Sequence, residues 1–219
     1  VTEVAKPTTN QAVGSRVTQY TPSAGQGPAI ESYIYVYHVA SGYVVAIYQR
    51  HDGVLAAKTG IPQSDNTITW GTEVTESESY KITAAEYDPI NEKIIMMQAG
   101  STTRMGAISV ASDGTPTWDG WKENTYNSNS GSHNMMCFAT NYNVMLFHFQ
   151  KSNDDNKVQT IDCSDADPSN WVFGSYVHVN TSAGDYYGAL EWDAAAERAL
   201  LIYHDGGKAK QCVIAVTAA

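Results

Sequence analysis

Four stretches decide the reading of this chain: Tyr37-HVASGYVVAI-Tyr48, Tyr87-DPINEKIIMM-Gln98, Phe138-ATNYNVMLFH-Phe149 and Trp192-DAAAERALLI-Tyr203. They align without a gap. Each opens on an aromatic residue, passes through a turn-like stretch and ends in an apolar run. The first and last positions are 11 apart in all four, and the period at the opening aromatic is 50, 51 and then 54 residues. A fixed period of this size marks a repeat architecture, whose units bury their faces by stacking on one another.

The unit reads as a hairpin. Ser41-Gly42 and Asp88-Pro89 with Asn91 carry turn chemistry. The continuous apolar runs at 44–48, 94–97, 145–149 and 199–203 imply strands buried on both faces. Ala194-Ala195-Ala196-Glu197-Arg198 has local helix character, but it aligns with the hairpin turns and is read as a turn. Third strands are predicted at 54–58, 105–110, 158–163 and 211–216. Fourth strands carrying Trp70, Trp118 and Trp171 follow the first three, each after a polar turn. A tryptophan recurring at one place in the repeat is expected to be a packing anchor.

The fourth unit ends without a fourth strand, while an orphan strand, Val13-Gly14-Ser15-Arg16-Val17-Thr18, resembles the fourth strands of the other units. The expected fold is therefore all-β: a four-bladed β-propeller of four-stranded antiparallel blades, the N-terminal strand closing the last blade. One domain covers 1–219, with the closing strand at 12–20 and blades at about 32–78, 79–128, 129–182 and 183–219. A β-sandwich or barrel is the alternative.

The run Ala85-Glu86-Tyr87-Asp88-Pro89-Ile90-Asn91-Glu92-Lys93-Ile94-Ile95, with the later Trp-Gly strands, resembles propeller-like repeats of bacteriophage tail-fibre and other virion structural proteins. The third and fourth units lack Pro after the aromatic, and the third also lacks Asp there. The resemblance implies a non-enzymatic module on the virion surface, as a fibre, decoration or host-attachment protein, with other virion proteins as partners. It carries no catalytic residues. The runner-up is a secreted or particle-borne carbohydrate-binding propeller that contacts a host surface glycan, and a glycoside hydrolase comes third.

Composition narrows the remaining classes. The formal net charge of −10 disfavours nonspecific nucleic-acid binding and anionic membrane surfaces. No stretch approaches the ~20 apolar residues of a membrane helix. Neither nucleic-acid binding nor membrane insertion is therefore expected. Cys137, Cys163 and Cys212 lack paired metal-ligand spacing and, being odd in number, leave at least one free thiol; buried free thiols are expected. None of the six histidines shows metal-ligand spacing. Neither a cofactor nor a metal is expected.

His51-Asp52-Gly53 and His204-Asp205-Gly206 pair catalytic residue types, but they follow second strands and read as Asp-Gly turns. Ser112-Asp113-Gly114-Thr115-Pro116-Thr117-Trp118 shares letters with the sialidase repeat motif at the wrong spacing. The functional surface of a propeller is expected at the channel mouth, lined by the starts of the first strands. Tyr33, Thr83, Asn134 and Gly188 hold that position, four residues before each opening aromatic. Tyr33, Thr83 and Asn134, with the loop aromatics Tyr126, Tyr186 and Tyr187, are the candidate ligand contacts.

Overall fold

The structure is a computed structural model and describes residues 30–50, 52–77, 81–99, 102–124, 134–150, 156–180, 188–205 and 208–216. It is an all-β, four-bladed β-propeller. Blade 1 contains β1 (Ile30–His38), β2 (Tyr43–Arg50), β3 (Leu55–Pro62), β4 (Ile68–Trp70) and β5 (Val74–Glu76). β4 and β5 are two pieces of one outer strand, since both pair with β3. Blade 2 contains β6 (Lys81–Asp88), β7 (Lys93–Ala99), β8 (Arg104–Val110) and β9 (Pro116–Glu123). Blade 3 contains β10 (Met135–Ala139), β11 (Val144–Gln150), β12 (Asn156–Asp162) and β13 (Val172–Asn180). Blade 4 contains β14 (Gly188–Asp193), β15 (Arg198–Asp205) and β16 (Lys208–Ala215). Every pairing is antiparallel between sequence neighbours, apart from the split outer strand of blade 1. The predicted closing strand at 12–20 lies outside the described residues.

The gapless alignment has a backbone cause. Gly42, Glu92, Asn143 and Glu197 hold the same repeat position, and all four have positive φ, between 52° and 75°. The first hairpin of every blade needs a left-handed residue there. Only blade 1 uses glycine, so three non-glycine residues accept the steric cost. The alanine-rich 194–197 stretch forms this turn rather than a helix.

In blades 1, 2 and 4 the side chain just after the opening aromatic holds the same turn, whereas in blade 3 that residue is Ala139, whose backbone carbonyl accepts the Tyr142 amide at 3.0 Å. In blade 2 the Asp88 carboxylate accepts the backbone N–H groups of Ile90 (2.9 Å) and Asn91 (3.1 Å) and the side-chain amide of Asn91 (2.8 Å). Asp193 accepts from Ala195 and Ala196, both at 3.0 Å. In blade 1 His38 substitutes, its Nδ1 accepting from the Ser41 amide at 3.2 Å. Its Nε2 lies 2.7 Å from the Glu92 carbonyl, which can only accept, so the proton sits on Nε2.

Asp88 is fully buried and Asp193 is exposed. Asp88→Ala leaves three donors without their acceptor and is expected to cost about 3 kcal/mol. Asp193→Ala should cost about 1 kcal/mol, because water replaces the carboxylate. Urea denaturation of both variants checks the contrast.

Among the described residues, three seams between blades and a smaller cluster of Ala46, Tyr48 and Ala56 with Trp70 on the face of blade 1 turned away from blade 2 make up the core. Between blades 1 and 2, Val36, Val45, Ile47 and Leu55 meet Ile82, Tyr87, Ile94 and Met96. Between blades 2 and 3, Ile95, Met97 and Met105 meet Phe138, Met145, Phe147 and Trp171. Between blades 3 and 4, Cys137, Leu146 and Val158 meet Leu190, Leu201 and Tyr203. Successive strand residues alternate between two seams, which is why the second strands read as unbroken apolar runs.

Polar contacts lock the turn end of each seam. His38 packs edge-on against Tyr87 with centroids 5.1 Å apart, and the Tyr87 hydroxyl accepts from the Ala40 amide at 3.2 Å. Asn91 donates to the Cys163 carbonyl (3.2 Å) and Lys93 to the Ala166 carbonyl (2.8 Å). Trp192 donates its indole N–H to Asn141 (3.1 Å).

Candidate functional site

The first strands β1, β6, β10 and β14 lie next to one another in that order along the axis. At their C-terminal ends they enclose a cleft of about 380 Å³ with lining from all four blades, including Val39, Glu86, Tyr87, Cys137, Glu191 and Trp192. Its distinctive feature is a pair of carboxylates. Glu86 is half-buried and Glu191 exposed, and burial raises the Glu86 pKa above the usual carboxylate range. The Tyr87 backbone N–H, donating to Oε1 at 3.0 Å, opposes that shift, and the charge of Glu191 adds to it. Burial and the nearby carboxylates push the Cys137 thiol up to about 12, so it stays protonated at neutral pH.

The sequence-predicted mouth is at the opposite end, at the starts of the first strands. Two of its candidates do come together there. The Asn134 side-chain amide donates to the Thr83 hydroxyl at 2.7 Å, and that hydroxyl donates to the Met97 carbonyl at 3.3 Å. A register irregularity between Ile82 and Ala84 places Thr83 at this junction of blades 2 and 3. Tyr33 is not part of that group. It is exposed and lies edge-on to Tyr35, at 5.7 Å between centroids, on the face of β1 turned away from blade 2. Tyr126, Tyr186 and Tyr187 lie outside the described residues. Sequence reasoning missed Glu86 and Glu191. The available signal was the position before each opening aromatic, which reads Val36, Glu86, Cys137, Glu191: two acids in a series otherwise fit for burial.

A second cleft, of about 340 Å³, opens between the outer parts of blades 1 and 2. Tyr43 and Trp70 supply aromatic surface, with Thr59, Thr69, Thr72 and Asp113 as polar lining. Thr59 donates to the Gly114 carbonyl at 2.5 Å, tying the blades together at the cleft. Gly114 has φ of 84°, and a Cβ there would lie 2.5 Å from the Tyr43 ring, so glycine is required twice over.

Two of the residues that looked catalytic in sequence, Asp52 and Asp113, have structural uses, while His51, Gly206 and the side chains of His204 and Asp205 lie outside the described residues. Asp113 accepts the Thr115 amide (2.9 Å), as Asp65 accepts that of Thr67 (3.0 Å) and Asp167 that of Ser169 (2.9 Å). These hydrogen bonds hold all three carboxyls below the usual carboxylate range. Asp52 sits in a tight turn, accepting from the Val54 amide at 3.2 Å and pairing with Arg50 at 2.9 Å. Among the described residues no three metal-ligating side chains cluster. Cys137 and Cys163 are buried and Cys212 is half-buried, all as free thiols.

No family model and no curated protein matches the chain. Solved structures do. A Lactobacillus plantarum protein superposes with TM-score 0.54 and 12% identity, over 80% of this chain and 55% of its own. A candidate 6-phosphogluconolactonase from Bacteroides uniformis gives TM-score 0.54 and 11% identity, over 84% and 56%. The β-propeller domain of Myceliophteria thermophila Cps50 (Swd1) gives 0.52 and 10%, over 94% and 59%. At such identities the likeness is one of fold, and the chain spans little more than half the length of the proteins it matches. One of these longer proteins is a β-propeller domain, in keeping with the fold described above.

Proposed function

We propose that this chain is a non-enzymatic module of a bacteriophage particle surface, a fibre, decoration or attachment component whose work is to present surfaces on a rigid scaffold. The observation that carries the reading is how the repeat spends its polar groups. The recurrent aspartates Asp65, Asp113 and Asp167 are each occupied by a backbone N–H two residues ahead. Trp171 donates to a carbonyl in its own turn, Asp165, at 2.8 Å. A repeat selected for chemistry would aim such groups at a shared cavity; these hold turns and seams. The Tyr-Asp-Pro turn supports the same reading, since Asp88 is the residue that closes its hairpin.

A second reading, glycan binding, is favoured by the cleft that combines Tyr43 and Trp70 with hydroxyl-bearing threonines and Asp113, because aromatic faces with polar rims suit sugar rings. One experiment addresses both. Cryo-electron microscopy of purified particles, with the chain located by a bound antibody fragment, should place it on the outer surface. A chain missing from purified particles overturns the first reading. Glycan-array binding lost in Trp70→Ala supports the second, and no binding to any glycan removes it.

A further inference from the structure

The cleft between the outer parts of blades 1 and 2 has fixed walls. The Tyr43 ring lies so close to Gly114 that a Cβ there would overlap it, and the Thr59 hydroxyl donates to the Gly114 carbonyl at 2.5 Å. The turn that carries Gly114 closes on itself. Its Ala111 amide donates to the Thr115 carbonyl at 3.0 Å, and the Gly114 amide to the Ala111 carbonyl at 2.9 Å. On the opposite wall the outer strand breaks at 71–73, where the Gly71 amide donates to the Thr59 carbonyl at 2.8 Å. A ligand therefore meets a preformed surface, and little has to be ordered when it binds.

Two properties of that surface select among ligands. The first is charge. Asp113 is the single charged side chain among the described lining residues, and no lysine, arginine or histidine stands with it. A carboxylate, sulfate or phosphate on a ligand would face Asp113 without a counter-charge. The lining hydroxyls and the Asp113 carboxylate are instead partners for neutral hydroxyl groups. The second property is an aliphatic patch. Ile61 is 43% exposed on the cleft, with Val74 and Pro116 beside it. A hydroxymethyl group placed there would lose its water without gaining a partner, whereas a methyl group loses nothing.

We infer that this cleft, taken as the glycan site of the second reading above and resting on that reading, holds a neutral sugar that carries a methyl group and turns away acidic sugars. The sugar ring lies against Tyr43, its hydroxyls meet the threonine hydroxyls and Asp113, and its methyl group meets Ile61, Val74 and Pro116. A 6-deoxyhexose and an N-acetylhexosamine both supply such a methyl group, from opposite sides of the ring. Rejection of an acidic sugar needs no steric clash, only one like charge left uncompensated.

Calorimetric titration of the purified chain with matched sugars provides the test. One series varies C6 through methyl, hydroxymethyl and carboxylate, and a second exchanges a C2 hydroxyl for N-acetyl, which separates the two sources of the methyl group. In one series or the other the methyl-bearing sugar should bind about fivefold more tightly than its hydroxylated counterpart, with the hexuronate weakest. Ile61→Ser should bring the ratio of methyl-bearing to hydroxylated affinity down to about one. Asp113→Asn keeps an oxygen for the Thr115 amide and should raise the ratio of hexuronate to hexose affinity about fivefold. Both positions are exposed, so circular dichroism should be unchanged. A hexuronate bound as tightly as the methyl-bearing sugar, or indifference to the methyl group in both series, overturns the inference and leaves glycan binding standing. Ratios that move in neither variant put the sugar elsewhere on the molecule and overturn it as well. No binding of any sugar removes the glycan reading and this inference with it.

Discussion

Replacing Trp171 with alanine is expected to destabilise the protein by about 3–5 kcal/mol, the largest effect of any single recurrent aromatic. Trp171 follows the 3-10 turn Pro168–Asn170 and is almost completely enclosed in the seam between blades 2 and 3. Truncation removes the transfer energy of a whole indole, leaves a cavity between two sheets, and strands the Asp165 carbonyl that accepted its N–H at 2.8 Å. The turn it anchors also reaches blade 2, where Lys122 donates to the Ser169 carbonyl at 2.5 Å. The recurrent tryptophans are not equivalent in register: Trp118 pairs with Ile108 on blade 2 as Phe173, not Trp171, pairs with Ile161 on blade 3, and Trp171 lies just before its strand. Trp118 is half-buried, stacks on Trp121 at 6.3 Å between centroids, and its indole N–H has no partner. Trp118→Ala should cost about 1–2 kcal/mol. Urea unfolding with equal slopes for both variants gives the comparison; equal losses would mean that burial does not set the cost of losing either tryptophan.

The second large effect is a dependence of stability on pH through His148. This side chain is buried in blade 3, with Nε2 3.2 Å from the Asn156 side-chain oxygen and Nδ1 lacking a partner. The amide oxygen can only accept, so Nε2 carries the proton and the ring is neutral. Burial lowers its pKa from 6.5 to about 4, opposed only in part by the bond to Asn156. The unfolded chain takes up this proton as pH falls through about 6.5, while the folded chain refuses it until about 4. Stability is therefore full above the upper value and falls across the window, by about 3 kcal/mol in total. His148→Met places at this position the residue that blade 2 carries there, Met97. The wild-type urea midpoint should fall relative to the variant's as pH drops from about 7 to about 4.5, because the variant lacks this proton uptake. Parallel curves would show that His148 titrates alike in the folded and unfolded chain and would overturn this reading.

The repeat was legible because burial and turn geometry impose it locally. An aromatic at a seam, a left-handed turn residue five positions later and a doubly buried second strand recur at one spacing, whatever each blade packs against. The candidate site was harder. Thr83 and Asn134 were legible as equivalent positions, and the structure bonds them to each other. Glu86 and Glu191 were not singled out, because their meaning comes from sharing one cleft across blades 2 and 4, more than a hundred residues apart. Tyr33 was assigned to the channel from its place in the repeat. Strand alternation instead puts it, with Tyr37, on the face of β1 turned away from blade 2, and only sheet stacking reveals which side that is.

By itself, then, the sequence determined the class, the number of blades, the hairpin turns and the fate of Asp52 and Asp113 as turn residues, since all of these depend on short-range backbone chemistry that repeats. The tertiary structure alone decided which faces are covered. Leu200 and Ile95 occupy equivalent places and read alike, yet one is open and the other sealed. The difference lies in the neighbour that each sheet meets, a property of the assembled blades that no local pattern encodes.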